Sequence, residues 1–418
     1  MHKTVEINNI RLHYVPFTKL KTTVINVYIH RSLCEKDASM NALLPYVLKR
    51  SSRLCPDMES FSKYLERLYG ASLSSSVFKR GDDQIICFDA ETISDRYTPD
   101  KEPLMAELTE LLLSIMFDAQ PFDSEVVEQE KNNAVNRINA LLNEKRTYAN
   151  LRCIEEMCEG ESFAVSRLGT VEGIQAITPE SLYEYYRSIM TTSLIDFYVC
   201  GEADIDAVAD EIRRFTDALS FTPASIPKTE ILRKNADVKN VTDHMEVTQG
   251  KLVIGFRTNI EPDSEDYPKL VVFNSVFGAG AHSKLFNNVR EKLSLAYYAG
   301  SQLERYKGIL TVNAGIEFKN FQKAYDESLV QLEEIRNGNI SDAEFESSIM
   351  AINNSYNSTY DDQRSTSIFL LSESIVGTNE EISDKLRKIN AVTKEDVAEI
   401  AKRLELDTVY FLDGKEAE

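Results

Sequence analysis

Alternating apolar and polar residues indicate the strands of this chain, and apolar residues at three- and four-residue spacing indicate its helices. Short apolar or alternating runs predict strands at residues 23–30, 73–78, 84–90, 195–200, 252–256, 309–314 and 408–412. Apolar residues at three- and four-residue spacing predict helices at residues 58–68, 104–117, 125–144, 267–277, 321–336 and 342–356. Strands and helices follow one another in runs without strict alternation, and this order indicates an α+β fold.

The chain contains a duplicated unit. Residues 174–186 lead into the apolar stretch IDFYVCGE, and residues 389–401 lead into DTVYFLDGKE. Thr178 and Thr393 each precede a helix with an acidic start, so both are predicted N-caps. The other end of each half repeats as well, because TVINVYIHR and KLVIGFRTN are each followed by a predicted helix. We therefore expect two related domains, at 1–219 and 241–418, joined by a polar linker at 220–240.

The bulk composition restricts the partners of the chain. Its 418 residues suit two domains of about 200 residues each. There are 67 acidic against 47 basic residues, which gives a net charge of -20. This charge disfavours nucleic acids and anionic membranes and favours basic or neutral peptides. Solvated helix faces explain it more simply, so the charge alone decides little. No stretch approaches the roughly 18–20 apolar residues of a membrane span.

The cysteines and the opening segment indicate a cytoplasmic protein. All six cysteines lie in the first half and form no CxxC pair. This arrangement predicts buried or half-buried thiols rather than disulfides or a metal cluster. The opening MHKTVEINNIRLHYVPF resembles neither a signal peptide nor a transit peptide.

The five histidines give no sign of a metal site. No two of them stand at i and i+4, so neither an HExxH nor an HxxEH zinc motif is present. Scattered imidazoles on the surface or in the core explain them best. A nucleophile elbow, a P-loop and a dinucleotide-binding glycine motif are also missing from the sequence. The glycine-rich segment 278–282 predicts a turn before a helix.

The segment VYIHRSLCEKDASMNALLPYVLKRSS, followed by SKYLERLYGASLSSSVF, resembles the insulinase/pitrilysin metallopeptidases, in particular their bacterial members similar to mitochondrial processing peptidase. Ser32 and Glu35 match a small residue and an acid of that family. The resemblance then aligns the two histidine ligands of zinc with Ala42 and Tyr46, and the catalytic glutamate with Pro45. Alanine has no donor atom, a phenol is a poor ligand at neutral pH, and proline does not polarise water. The catalytic positions are therefore expected to be degenerate.

A further zinc ligand of the family is a glutamate on the next long helix, seven residues after a first glutamate. The segment EKNNAVNR keeps that first glutamate as Glu130 and has Arg137 at the ligand position. A guanidinium would repel Zn²⁺, so the resemblance implies that this chain binds no cofactor. Glu130 fits either a remnant of the site or an ion pair on a helix.

The second half retains a different family motif. The phrase SKLFNNVREKLSLAY nearly reproduces a family segment in which an arginine and a tyrosine hold the carbonyl of the substrate, and it places them at Arg290 and Tyr297. Both side chains carry donors that suit a peptide carbonyl or an oxyanion. Without the resemblance, Arg290 would be a cation near a helix C-terminus and Tyr297 a core aromatic of a strand.

The resemblance, which extends from about residue 5 to about residue 413, implies two domains that are each an antiparallel-rich sheet flanked by helices, together half of a clamshell. It also implies a catalytically inactive chain that pairs with a zinc-bearing subunit, in which zinc would reside only in the partner. One alternative is a peptide-binding or scaffold homodimer. A second alternative is an active zinc metallopeptidase with an unusual site.

Overall fold

The computed structural model describes residues 2–50, 52–231 and 237–415. The first half contains six strands, β1 (Lys3–Ile7), β2 (Ile10–Pro16), β3 (Thr22–Ser32), β4 (Ser72–Arg80), β5 (Asp83–Ile93) and β6 (Leu194–Gly201). Its helices are α1 (Glu35–Leu48), α2 (Met58–Arg67), α3 (Leu104–Phe117), α4 (Ser124–Asn143), α5 (Lys145–Met157), α6 (Val171–Gln175), α7 (Pro179–Thr192) and α8 (Ile205–Thr216).

The second half contains five strands, β7 (Lys239–Met245), β8 (Gly250–Arg257), β9 (Ala296–Glu304), β10 (Ile309–Ile316) and β11 (Glu405–Gly414). Its α-helices are α9 (Tyr267–Phe277), α10 (Phe321–Arg336), α11 (Asp342–Thr359), α12 (Gln363–Val376), α13 (Ile382–Asn390) and α14 (Lys394–Lys402). A π-helix runs from Leu285 to Lys292, after the turn predicted at the glycine-rich segment. All the predicted strands and helices are confirmed to within a few residues.

The two sheets share one topology, which confirms the predicted pair of related α+β domains. The first sheet has the order β1-β2-β6-β3-β5-β4, and the second has β7-β11-β8-β10-β9. The pairs β2–β6 and β7–β11 are parallel, and every other pair is antiparallel. Strand for strand, the second sheet therefore repeats the last five strands of the first.

The predicted N-caps are confirmed. The Thr178 hydroxyl accepts a hydrogen bond from the Ser181 backbone N–H, and the Ser181 hydroxyl accepts one from the Thr178 backbone N–H. Thr393 and Asp396 make the equivalent reciprocal pair at the start of α14. Each capping box satisfies two backbone donors and fixes the residue at which the helix begins.

Each half contributes one segment to the compact unit of the other. The first unit contains Met1–Asn139, Val165–Lys228 and Thr359–Ser372, and the second contains Ala140–Ala164, Thr229–Ser358 and Glu373–Glu418. The boundary between Lys228 and Thr229 falls within the predicted linker 220–240. Residues 220–231 of that linker form neither helix nor strand, and its residues 232–236 lie outside the described part of the chain.

In the first unit, one face of the sheet packs against helices from the same half of the chain. Apolar side chains of β3 and β6 meet those of α1, α3 and α7, as Val27, Leu44, Leu112 and Phe197 illustrate. The opposite face contacts the beginning of α12. There the Tyr28 hydroxyl lies 3.0 Å from the Ser367 hydroxyl, so the sheet is covered on both faces.

In the second unit, the core face of the sheet packs against α9, α10 and α14. Its other face packs against α5, where Cys153 and Met157 contact Val253. Gly255 makes this approach possible, because a Cβ at that position would lie 2.2 Å from the Met157 sulfur. The absence of a side chain at Gly255 therefore leaves the room that Met157 of α5 occupies.

An ionic network lies buried on the second face of the first sheet. His30 is 2% exposed and stands between Asp83, at 2.5 Å, and Asp196, at 3.1 Å. Asp196 also accepts hydrogen bonds from His13, at 3.1 Å, and from the Nε and Nη2 atoms of the Arg11 guanidinium. One carboxylate thus joins three basic side chains from β2 and β3.

The cysteines match the prediction. All six lie in the described part of the chain and are free thiols, five of them buried and Cys34 partly exposed. Within the described ranges, none of the helices has both the length and the apolar character that a membrane crossing requires.

Candidate functional site

Helix α1 carries the first three degenerate positions, Ala42, Pro45 and Tyr46. The helix begins after Cys34, and Glu35 and Asp37 in its first turn interact favourably with the helix dipole. Ala42 is 3% exposed, and Pro45 is also buried inside the helix. Because proline lacks an N–H, the usual helical bond to the carbonyl four residues earlier is absent there. Ala42 and Pro45 thus present buried hydrocarbon at the two positions that the resemblance aligns with a ligand and a base.

Tyr46 and Arg137 lie against each other, although they are far apart in the sequence. The Arg137 guanidinium, from α4, stands 3.7 Å from the centre of the Tyr46 ring. A contact of this kind contributes roughly 0.5–2 kcal/mol, depending on how dry it is. The structure therefore brings two positions that align with zinc ligands into direct contact, and it places a fixed cation between their helices.

The electrostatics around Tyr46 disfavour a metal cation. The Arg137 guanidinium is a cation and offers no lone pair to a metal. Burial lowers the pKa of the nearby Arg167 guanidinium and outweighs the opposing effect of the Tyr46 phenol. Among the described residues, no group of three histidine, cysteine or carboxylate side chains has the arrangement of a metal site. The residues present at these four positions do not fit Zn²⁺.

Glu130 belongs to an ion pair. It is 8% exposed, and its carboxylate accepts a hydrogen bond from Arg50 at 3.0 Å and another from the Asn133 amide at 3.2 Å. Of the two interpretations of this residue, its contacts favour the ion pair. The carboxylate thus has partners within the described chain.

Arg290 lies in the last turn of the π-helix, which packs along β9. π-helical turns are rare in proteins and are often found at functional sites. The Arg290 side chain is 42% exposed and stacks on the Phe286 ring, with its Cζ atom 4.6 Å from the ring centre. Its ion-pair partner is the adjacent Glu291, at 3.4 Å, so much of its hydrogen-bonding fork faces solvent.

Tyr297 lies at the start of β9, which forms an edge of the second sheet. Its side chain is 54% exposed, so the interpretation of Tyr297 as a core aromatic is wrong. The reason is its position on an edge strand, at a register shift where Ile316 pairs with Ala296 and Gly315 pairs with Tyr298, so that Tyr297 has no partner on β10. The predicted substrate-binding pair therefore consists of two exposed donors on consecutive elements of one unit.

The structure also shows a cleft that the sequence did not predict. It lies in the second unit and is lined in part by Arg146, Lys251 and Tyr298. These residues come from three separated segments, and the first of them belongs to the part of the N-terminal half that packs on the second sheet. No local sequence motif corresponds to this cleft, so it could not be predicted from the sequence.

Known proteins resemble this chain along its whole length. The family described as "Peptidase M16 inactive domain" matches residues 176–352. A "probable inactive metalloprotease YmfF" from Bacillus subtilis is 37% identical over 408 residues, which cover 97% of this chain and 96% of that relative. An "uncharacterized zinc protease YmxG" from the same organism is 24% identical over 372 residues, covering 84% of this chain and 86% of that one.

Among solved structures, a conserved protein from Enterococcus faecalis superposes with a TM-score of 0.92 at 28% identity, and each chain is covered completely. Two related domains of this topology, together with these relatives, define the class as that of an inactive metallopeptidase homologue. The chain belongs to the M16 family of peptidases, the insulinase/pitrilysin family, as a member that lacks the zinc-binding motif.

Proposed function

We propose that this chain is the non-catalytic subunit of an M16 peptidase, and that it pairs with a zinc-bearing chain of the same fold to process or degrade peptides. The observation that carries the proposal is a contrast between two groups of residues. One group aligns with the zinc site of the family, and the other aligns with its substrate-binding arginine and tyrosine. A stacked Tyr46–Arg137 pair stands at positions that the resemblance aligns with zinc ligands, whereas Arg290 and Tyr297 keep exposed donors. An arginine and a tyrosine held at the surface suit a substrate that is cleaved by another subunit.

The charge of the chain supports a peptide as the substrate. A net charge of -20 favours basic or neutral extended chains and disfavours nucleic acid and anionic membrane. Edge strands such as β4 and β9 offer unpaired backbone groups to which an extended peptide adds as a further strand. Free thiols are typical of a reducing compartment and support a cytoplasmic location.

The alternative is a homodimer that binds peptides without a zinc-bearing partner. The exposed Arg290 and Tyr297 serve such a scaffold equally well, and only the identity of the partner differs. An active zinc metallopeptidase with an unusual site is the least supported possibility, because the side chains at the aligned positions are a methyl, a pyrrolidine ring, a phenol and a guanidinium.

The proposal is tested by mixing the purified chain with a zinc-bearing M16 chain from the same organism. We expect a mixed complex in size-exclusion chromatography with light scattering, and hydrolysis of fluorogenic peptides well above that of either chain alone. The hydrolysis should stop when a chelator is added, because the partner supplies the zinc. A stable homodimer that binds peptides but activates none of the zinc-bearing chains would contradict the proposal and favour the scaffold.

A further inference from the structure

An open cleft of about 620 Å³ lies where α5 begins, in the second compact unit. Its volume falls within the range of sites that hold small ligands or short stretches of a peptide. Three basic side chains and two acidic ones contribute to its wall, so the cleft is locally basic within a chain that carries a charge of -20. Arg290 and Tyr297 are not among its lining residues.

The floor of the cleft is the ring of Tyr298. This ring lies over Gly315 on the neighbouring strand β10, where an added Cβ would come within 2.3 Å of the ring carbon Cε1. The Arg146 guanidinium lies over the same ring at 4.3 Å from its centre. Because guanidinium groups stack with their planes against aromatic rings, the N–H edges of Arg146 remain available to a ligand.

Lys251 brings a second cation to the same ring. It is paired with Gly315 across β8 and β10, and its ammonium lies 5.9 Å from the centre of Tyr298. Its polar contact is the Gln249 side-chain oxygen, at 3.4 Å. Burial lowers the pKa of Lys251, and the attraction of Glu144 offsets this only in part. The ammonium is thus partly desolvated and close to another positive charge.

The acidic residues of the cleft leave these cations incompletely neutralised. The Glu144 carboxylate caps α5, where it accepts a hydrogen bond from the Thr147 backbone N–H at 2.5 Å. Arg146 is exposed, and it makes no ion pair with an acid of the described residues. Three cations, Lys145, Arg146 and Lys251, face Glu144 and Glu246, so the excess corresponds to one positive charge.

We propose that this cleft binds a carboxylate group of a peptide, which Arg146 holds through two parallel N–H donors and Lys251 through its ammonium. The planar fork of arginine matches the two oxygens of a carboxylate. An excess of one charge suits a carboxylate better than a multiply charged phosphate, and the net charge of the chain repels polyanions. The carboxylate belongs either to the C-terminus or to an aspartate or glutamate side chain. This site is independent of the proposed partner subunit.

The test measures binding of labelled peptides to the full-length chain alone by fluorescence anisotropy. One ten-residue peptide of neutral side chains is prepared with a free C-terminus, with an amidated C-terminus, and in amidated form with one internal glutamate. We expect binding of at least one carboxylate-bearing form, with little binding of the neutral amide. The form that binds identifies the source of the carboxylate.

Variants of the cleft then locate the site. Arg146→Gln and Lys251→Gln should each weaken binding about ten- to a hundredfold, since each removes a charged hydrogen-bond donor. Arg387→Gln and Lys402→Gln, exposed cations of the same unit, serve as matched controls and should leave binding unchanged. The proposal is overturned if no peptide binds, if the amide binds as well as the acids, or if the cleft variants behave like the controls while circular dichroism shows them folded.

Discussion

In a complex with a zinc-bearing subunit, Arg290→Ala combined with Tyr297→Phe should lower kcat/KM for peptide hydrolysis by about a hundredfold or more. Each change removes a donor aimed at the carbonyl or at the oxyanion that develops from it, and the loss of one such donor costs roughly 10²–10³ in rate. Because the interaction strengthens in the transition state, kcat should fall more than KM rises. Steady-state kinetics on the mixed complex measure both constants.

The structural cost of these two substitutions should be small, because both side chains are largely exposed. Arg387→Ala and Tyr69→Phe provide matched controls, since both are exposed and neither lies in the segment SKLFNNVREKLSLAY. They should retain the full activity of the mixed complex. Equal turnover by the Arg290/Tyr297 variant and by the controls would remove the proposed role of this pair in holding the substrate.

Replacing Asp196 by alanine should destabilise the chain by about 3–5 kcal/mol. The carboxylate is fully buried and accepts hydrogen bonds from Arg11, His13 and His30. Its removal leaves Arg11 and His13 without their buried carboxylate partner and leaves His30 with Asp83 alone. Breaking one side of a buried ion pair has a cost of this size. Urea unfolding followed by circular dichroism gives the free energy. Asp210→Ala, an exposed carboxylate with one ion pair, is the control and should change stability little.

The same network makes stability depend on pH. Burial alone would lower the pKa of His30, but the charge of Asp83 and the hydrogen bond with Asp196 outweigh it and raise the pKa to about 9. Since the folded state holds this proton more tightly, the stabilisation is complete below about pH 6.5 and is lost as the pH rises toward 9. In His30→Gln this loss between pH 6.5 and 9 should be much reduced. An identical decline in both proteins would show that His30 does not carry it.

The sequence predicted the repeated elements well because their signals are local. Central strands such as β3 and β8 are rich in apolar residues, and long amphipathic helices such as α10 keep their spacing. Edge strands were harder to recognise, since β7, with the sequence KNVTDHM, contains little apolar surface. The packing of α5 on the second sheet was not predictable either, because no local pattern states which sheet a helix covers.

The candidate site, too, was predictable from the sequence only in part. The contact between Tyr46 and Arg137 joins two positions that had been recognised only through family motifs, and the structure provides the distance between them. The exposure of Tyr297 could not be derived from an aromatic residue in a strand, because it depends on the edge position of β9 and on the register shift at Tyr297. The cleft around Tyr298 forms where Arg146 and Lys251 lie close together, and their proximity depends on where α5 packs.

The zinc content of the purified chain tests most directly whether its catalytic centre has been lost. The chain is equilibrated with zinc, dialysed against metal-free buffer and analysed by inductively coupled plasma mass spectrometry, and the same sample is assayed for peptide hydrolysis. We expect far less than one zinc per chain and no hydrolysis, because Ala42, Pro45, Tyr46 and Arg137 provide neither a ligand set nor a base. One retained zinc per chain, together with hydrolysis that a chelator abolishes, would contradict this expectation.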